Sequence, residues 1–261
     1  MALHLFSHLE KLGSLLRGNP PPVILVDFDG TLAPIVPDPG DARMSPETRE
    51  DLESLGRRPG AMVAVISGRS LEQLMDLVPV SGVIRVGNHG LEISGPDWRY
   101  LHPEASRFRP AIRHACEILD TVAARFPGSL VEDKGLTASL HFRNCHPGRA
   151  AELIRLARQA LEESPDTGAL RLESGRKVLE IRPPVDWHKG AACLWLLDRV
   201  SGSLETTVYM GDDRTDEDAF RALPRSITIR VGNVETSARY YVRDQNEAAR
   251  VLTWLAESYE N

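Results

Sequence analysis

The fold is decided by residues 23–34, which read VILVDFDGTLAP and follow three prolines at positions 20–22 that end the preceding segment. The first four residues form a continuous apolar run, the pattern of a strand buried on both faces of a parallel sheet. Asp27 and Asp29 follow at its carboxyl end, and in extended backbone residues two apart point to the same side. Gly30 then allows a turn and the close approach of a ligand, because it has no Cβ atom. The stretch therefore predicts two carboxylates that face one small volume.

This pair of carboxylates predicts a magnesium site that works on phosphate. Like charges this close are unfavourable unless a cation or a shared proton offsets them, and Mg²⁺ is a hard cation that binds carboxylates beside phosphate groups. One aspartate can attack phosphorus and form an aspartyl-phosphate, while its neighbour carries a proton to the leaving oxygen and later takes one from water. The alternative is that Asp27 and Asp29 only cap a turn after the strand.

Strands and helices alternate over most of the chain. Further buried strands are predicted at residues 61–66, 83–86, 206–210 and 226–231, with helices between them. This alternation is typical of an α/β doubly wound parallel sheet, in which ligands bind outside the carboxyl ends of the strands. Ser67 and Gly68 follow one strand at that end, and Asp212 and Asp213 follow another. An amphipathic helix is expected over residues 3–17.

The pattern changes between residues 105 and 184. Helices are predicted at 105–125 and 147–163, and strand pairs at 129–133 with 137–143 and at 170–173 with 177–182. This α-β-β-α-β-β order predicts a small sheet with helices on one face. We therefore expect a core domain formed by residues 1–104 and 185–261, and a smaller α+β cap domain, residues 105–184, inserted into it.

The composition limits the class of protein. The chain has 261 residues, of which 42% are hydrophobic and 26% charged, as is ordinary for a soluble globular protein. Its net charge of −6 gives no sign of nucleic-acid binding. Three widely spaced cysteines indicate a reducing compartment, and neither a signal-peptide pattern nor an apolar run of about 20 residues is present. We expect a cytoplasmic monomer with no nucleic-acid or membrane partner.

The groups that phosphoryl transfer requires are predicted to lie at one edge of the sheet. They are the Asp27/Asp29 pair, Ser67 with Gly68 and Gly30, Lys189 at a helix start, and the Asp212/Asp213 pair. Ser67 can donate a hydrogen bond to a phosphate oxygen, and Lys189 can place a point charge on the phosphate and on Asp27. Asp212 can close the magnesium site, with Asp213 holding a metal-bound water or orienting Asp212.

Each of these residues also has a structural interpretation. Ser67 could be only an N-cap and Lys189 only a surface lysine, but the order of the whole set along the strand ends argues against this. Asp216 and Asp218 are interpreted differently, as acids favoured by the dipole at the start of a helix.

The motifs DFDGT, ISGRS, WHKG and GDDRTDED resemble the four motifs of the haloacid dehalogenase superfamily of phosphohydrolases. The resemblance implies a Rossmann-like core and a magnesium-dependent phosphatase. Asp27 would be the nucleophile, Asp29 the general acid and base, and Lys189 a catalytic phosphate ligand. The metal would be held by Asp27, Asp29, Asp212 and Asp213, and the insertion would be a substrate-specifying cap.

Four further stretches and a longer form of the last motif together resemble the trehalose-6-phosphate phosphatases. The stretches are GNHG (87–90), VEDK (131–134), SLHFR (139–143) and KVLE (177–180), and the longer motif is GDDRTDEDAF (211–220). In that family the cap presents acidic and basic side chains to sugar hydroxyls. The resemblance implies hydrolysis of trehalose 6-phosphate to trehalose and phosphate, with six substrate-binding candidates: Glu132, Lys134, Lys177, Glu180, Arg143 and His89. Phe142 departs from the family, which often has tyrosine there.

Two alternatives remain open at this point. The core motifs fit equally a phosphatase for another sugar phosphate, such as sucrose phosphate or mannosylglycerate phosphate, because only the cap residues argue for trehalose. The cap residues themselves could be ion pairs on the cap surface. A sugar-phosphate sensor without activity is the second alternative, but such a protein is expected to lose one of the acids, and all are present.

Overall fold

The computed structural model describes residues 2–17, 21–36, 38–175 and 177–258. Pro20, expected to help end the first segment, lies outside these residues. The chain divides into two compact units, a core unit of Met1–Tyr100 with Trp187–Asn261 and an inserted unit of Leu101–Asp186.

Thirteen strands are assigned within the described residues. In chain order they are β1 (Leu3–His4), β2 (Val23–Asp27), β3 (Met62–Ile66), β4 (Val83–Gly87), β5 (Glu92–Ser94), β6 (Arg99–Leu101), β7 (Leu130–Asp133), β8 (Ala138–His141), β9 (Arg171–Gly175), β10 (Val178–Arg182), β11 (Thr207–Gly211), β12 (Ile227–Val231) and β13 (Tyr240–Val242). The α-helices are α1 (Leu9–Leu16), α2 (Pro46–Gly56), α3 (Leu71–Leu77), α4 (Pro103–Ser106), α5 (Arg109–Ala123), α6 (Ala150–Glu162), α7 (Lys189–Arg199), α8 (Asp216–Ala222) and α9 (Gln245–Ser258).

The larger sheet has the strand order β1-β13-β12-β11-β2-β3-β4-β5-β6. The pairs from β1 to β4 are parallel, and β5 runs antiparallel to β4. The predicted doubly wound α/β core is therefore confirmed. Three short strands, β5, β6 and β13, were not predicted, because three residues are too few for a period-two pattern to stand out.

Strand β2 lies near the middle of this sheet and is buried along its whole length. Ile24 and Val26 pack into a hydrophobic core with α1, α2 and α9, while Val23 and Leu25 pack into a second core with α7 and α8. Alternate side chains of one strand thus serve opposite faces of the sheet, as the continuous apolar run predicts.

The register of the strands aligns the polar residues that follow them. Asp27 is paired with Ile66, so Ser67 comes directly after the residue opposite Asp27. Val26 is paired with Met210 on the other side, so that Gly211 and Asp212 begin at the same level. The carboxyl ends of three neighbouring strands therefore meet at one edge of the sheet.

The secondary structure of residues 3–17 differs from the prediction. A single helix was expected over residues 3–17, but Leu3 and His4 form β1 and pair in parallel with β13. The helix α1 begins only at Leu9. The sheet edge competes here with local helical preference, because backbone pairing with an existing strand satisfies donors and acceptors that a short helix end leaves open.

The inserted unit contains an antiparallel sheet with the order β7-β8-β10-β9. Helices α5 and α6 contribute to one hydrophobic core with the side chains of Leu140, Leu179 and Ile181. Period-two alternation leaves Glu132, Ser139 and Glu180 off this core. None of the helices in the described part of the chain is both long enough and apolar enough to traverse a bilayer.

Helices α7 and α8 approach each other closely at Gly190, and this contact supports a prediction. A Cβ atom at Gly190 would overlap the carbonyl oxygen of Asp218 and lie 2.9 Å from Cβ of Ala222. Gly190→Ala gains about 1 kcal/mol of helix propensity, but overpacking of rigid backbone costs about 1–3 kcal/mol. We expect a net loss of stability in thermal unfolding.

Gly168→Ala is the matched control. Its added Cβ would be 3.6 Å from the nearest heavy atom, the carbonyl oxygen of Ser164, which is ordinary contact. This variant should melt at or slightly above the wild-type temperature. A Gly190→Ala protein as stable as wild type would mean that α7 and α8 can separate without cost.

Candidate active site

Lys189 is the first residue of α7 and its ammonium group lies between two carboxylates. Nζ donates to Oδ1 of Asp27 at 2.6 Å and to Oδ1 of Asp216 at 2.7 Å. The side chain of Lys189 is 2% exposed, and both aspartates are buried. The structure thus brings together the predicted nucleophile Asp27 and the predicted phosphate ligand Lys189.

Asp216 corrects an expectation from the sequence. It was interpreted as an acid that only benefits from a helix dipole, and it does occupy the first position of α8. It is nevertheless completely buried. Its Oδ1 accepts from Lys189 and from the hydroxyl of Tyr209, and its Oδ2 accepts from the backbone N–H of Asp213 at 2.8 Å. Asp218, which is only partly buried, pairs with Arg221 on α8.

The charges of this cluster are not balanced by Lys189 alone. Burial lowers the pKa of Lys189, but Asp216 and Asp27 outweigh this effect and raise it, so the side chain is an ammonium. Burial raises the pKa of Asp27, against the opposing effect of Lys189. Burial, with Asp216 and Asp213 nearby, also raises the pKa of Asp212 to about 7. Negative charge is thus in excess at the site.

A divalent cation fits this excess of charge and this set of donors. Asp27, Asp212 and Asp216 can each offer a carboxylate oxygen, and these oxygens lie within 4.8 Å of one another. Hard oxygen ligands are those that Mg²⁺ prefers. Gly30 contributes space, because it has φ +80° and a Cβ atom there would overlap the Asp212 carboxylate. The donors differ from the predicted set, since Asp29 and Asp213 are not in this group.

Asp29 is instead held by Arg69, a residue that the sequence analysis did not single out. Nε of Arg69 donates to Oδ2 at 2.8 Å and Nη2 donates to Oδ1 at 2.6 Å, a bidentate pair. Arg69 is buried and lies over the Phe28 ring, while the Asp29 side chain is 39% exposed. The carboxylate is therefore orientated by one rigid guanidinium and remains open to solvent on its other side.

The loop after β3 carries Ser67 and is braced by the segment after β4. Ser67 is buried, and its Oγ accepts from the Arg69 backbone N–H at 3.1 Å. The backbone N–H of His89 donates to the Ser67 carbonyl at 2.9 Å. The imidazole of His89 lies against Gly68, where a Cβ atom would be 2.6 Å from Cε1. His89 has φ 57°, a strained conformation for a residue other than glycine.

In the inserted unit, three of the predicted substrate ligands form one charged cluster. Nζ of Lys134 lies 3.7 Å from Glu132 and 3.8 Å from Glu180. Two residues brace the acids: Nε2 of His141 is 2.8 Å from Oε2 of Glu132, and the Ser139 hydroxyl donates to Oε1 of Glu180 at 3.0 Å.

Two further candidates of this unit lie elsewhere. Arg143 and Lys177 are exposed, and the N–H of Phe142 donates to the carbonyl oxygen of Lys177 where β8 and β10 begin to separate. Lys177 has φ 67°.

Asp213, like Asp29, was predicted to bind the metal but is not among the three grouped donors. The residue is exposed, while its backbone N–H binds Asp216 and its carbonyl oxygen accepts from Arg230 at 2.8 Å. Its backbone therefore fixes Asp216, whereas its side chain was expected to hold a metal-bound water or to orient Asp212.

A model of the trehalose-phosphatase family matches residues 25–248 of the chain. Trehalose-phosphate phosphatase of Mycobacterium tuberculosis is 37% identical over 223 residues, which is 84% of this chain and 56% of that protein. A probable trehalose-phosphate phosphatase 3 of rice is 36% identical over 258 residues, covering 90% of this chain and 69% of that protein. The chain therefore spans little more than half the length of its mycobacterial relative.

Among solved structures, the trehalose-6-phosphate phosphatase C-terminal domain of C. albicans superposes with a TM-score of 0.84. It covers 98% of this chain and 99% of that domain at 22% identity, so it establishes a common fold. From the family match over residues 25–248, together with these sequence relatives, the chain belongs to the trehalose-phosphatase family.

Proposed function

We propose that this chain is a magnesium-dependent phosphatase that hydrolyses trehalose 6-phosphate to trehalose and inorganic phosphate. The observation that carries the proposal is the buried Asp27 carboxylate, held 2.6 Å from the Lys189 ammonium at the end of the central strand. A carboxylate fixed beside a permanent positive charge can attack an anionic phosphate that it would otherwise repel. The trehalose-phosphate phosphatases among its relatives support the choice of substrate.

The reaction we propose has two displacements at phosphorus. An oxygen of Asp27 attacks the phosphate, a P–O bond to Asp27 forms, and the P–O bond to the sugar breaks. Asp29, protonated on the solvent side that Arg69 does not occupy, gives this proton to the departing sugar oxygen. Water then attacks the aspartyl-phosphate and loses a proton to Asp29, the acyl phosphate P–O bond breaks, and Asp27 and free phosphate are restored. Arg69 orients Asp29 for both proton transfers.

The surrounding groups stabilise charge during these steps. Lys189 offsets the charge of the phosphoryl oxygens, and the Ser67 hydroxyl donates to one of them. When Mg²⁺ is bound by Asp27, Asp212 and Asp216, it supplies further positive charge toward the phosphate. Asp27 and Asp216 lie on different elements, so Lys189 also fixes the distance between them.

The inserted unit is proposed to act as a cap that recognises the sugar. Glu132, Lys134 and Glu180 form a compact set of charged donors and acceptors on the sheet side opposite the hydrophobic core. Hydrogen bonds from charged groups to hydroxyls are the stronger kind, and a site built from them rejects sugars that lack the matching hydroxyl. Arg143, Lys177 and His89 are proposed as additional contacts with the substrate.

The nucleophile is tested by Asp27→Asn. Asparagine keeps the shape but lacks the attacking charge, so phosphate release from trehalose 6-phosphate should fall to less than about one hundredth of wild type. The variant should remain folded in circular dichroism melts, because the amide relieves part of the excess negative charge. As a test of the metal, a chelator should abolish wild-type turnover. As a control for the substitution, Asp97→Asn, at an exposed position, should keep wild-type turnover. Turnover by Asp27→Asn above that level would contradict the assignment.

The two phosphate donors should differ in what their removal costs. Ser67→Ala should keep the fold and lower kcat by about 10²–10³, the usual loss for one such donor. Lys189→Met leaves two buried carboxylates unpaired and should destabilise the protein by about 3–5 kcal/mol. Adding Asp216→Asn should restore part of that stability without restoring activity. Turnover near the wild-type rate in both single variants would place the phosphate elsewhere.

Sugar recognition is tested by Glu132→Gln with two substrates. We expect kcat/KM for trehalose 6-phosphate to fall about 10- to 100-fold, because a charge-assisted hydrogen bond is lost. Hydrolysis of p-nitrophenyl phosphate, which has no sugar, should change little. Glu152→Gln, at an exposed position of α6, is the control. Equal losses with both substrates would refute the cap role, and a wild-type preference for sucrose phosphate in a sugar-phosphate panel would refute the substrate.

A further inference from the structure

Tyr209 is a buried polar residue that the proposed reaction does not use. It lies on β11, is 0% exposed, and packs edge-on against Phe220 with ring centroids 5.6 Å apart. Its hydroxyl is 2.7 Å from Oδ1 of Asp216. An ionised carboxylate can only accept, so the phenol is the donor in this bond.

Oδ1 of Asp216 therefore receives two donors, the Tyr209 hydroxyl and the Lys189 ammonium, each at 2.7 Å. Lys189 has a second carboxylate partner, Asp27, at 2.6 Å. The two aspartates share one ammonium, each accepting from a different one of its three N–H groups. How strongly Asp216 attracts the ammonium depends on how many other donors its oxygens already bind. Oδ2 is held by the backbone of Asp213, so Tyr209 is the side chain that shares Oδ1.

We propose that Tyr209 is a positioning residue. Its hydroxyl donates to the same oxygen of Asp216 as Lys189 does, and this keeps the Lys189 ammonium hydrogen-bonded to the nucleophile Asp27. Without the hydroxyl, Oδ1 of Asp216 has an unmet acceptor site and draws Lys189 toward itself. The ammonium then supports Asp27 and the transferring phosphate less well. Tyr209 does not touch the substrate, and its effect is transmitted through Asp216, which holds Lys189 and is also a proposed ligand of Mg²⁺. This inference rests on the proposed phosphatase activity.

Tyr209→Phe is the test, because it removes the hydroxyl and keeps the ring that packs on Phe220. One hydrogen bond to a charged group corresponds to about a 10- to 100-fold change. We expect kcat to fall by that factor with trehalose 6-phosphate and with p-nitrophenyl phosphate alike, and KM for the sugar phosphate to stay within about twofold. A merely structural role would leave the kcat of the folded protein unchanged.

A double-mutant cycle identifies the route of the effect. In the Asp216→Asn background, Tyr209→Phe should lower kcat by less than about twofold further, because the shared carboxylate is already gone. Tyr240→Phe, a buried tyrosine on β13 of the same sheet, is the matched control and should keep wild-type kcat. Independent, additive losses from Tyr209→Phe and Asp216→Asn would overturn the proposal, as would a Tyr209→Phe kcat within about threefold of wild type.

A second readout needs no turnover. The ¹⁵N-lysine NMR signal of the buried Lys189 ammonium in metal-free protein can be assigned by its loss in Lys189→Met. It should shift in Tyr209→Phe and stay in place in Tyr240→Phe. An unshifted signal would overturn the inference even if the wild-type protein hydrolysed no phosphate ester, whereas a shift in an inactive protein would leave Tyr209 positioning Lys189 and refute only the proposed activity.

Discussion

The rest of the core unit depends on one interaction, the buried pairing of the Lys189 ammonium with the carboxylates of Asp27 and Asp216. A buried charge is tolerated only when it is paired and hydrogen-bonded. Here the pairing joins the end of β2 to the starts of α7 and α8, so three elements far apart in sequence must meet at one point. The close packing of α7 on α8 at Gly190 and the aligned ends of β2 and β11 both serve this meeting.

Much of this arrangement follows from the sequence because it rests on strong local signals. The apolar run before Asp27 predicts a strand buried on both faces, and alternation of strands and helices predicts where their polar ends lie. Asp216 could not be recognised in the same way, since an acid at a helix start is favourable without any partner. Its burial depends on the placement of α8 against β11 and on Tyr209, which only the folded chain defines.

The pairing of Arg69 with Asp29 and the cluster around Lys134 show a second limit of sequence reasoning. Period-two alternation places Glu132 and Glu180 on one sheet side, and the register then sets both opposite Ser139. Lys134 follows β7 in a turn, where no periodicity applies, and His141 meets Glu132 only across the strands. Predicting such contacts requires the register of the paired strands and the side-chain rotamers, and the spacing of residues along one segment gives neither.

The glycine at position 30 bears on how proteins of this kind can diverge. Its left-handed backbone and its contact with the Asp212 carboxylate exclude every larger residue, so the mutational paths that lead through this position are closed. A substitution at Gly30 would therefore disturb the Asp212 carboxylate and with it the candidate metal site. The inserted unit has its own hydrophobic core and its own sheet, so its exposed positions are free of the backbone constraint that applies at Gly30. If the inserted unit reads the sugar as proposed, new substrate preferences would arise there without any change in the proposed chemistry at the strand ends.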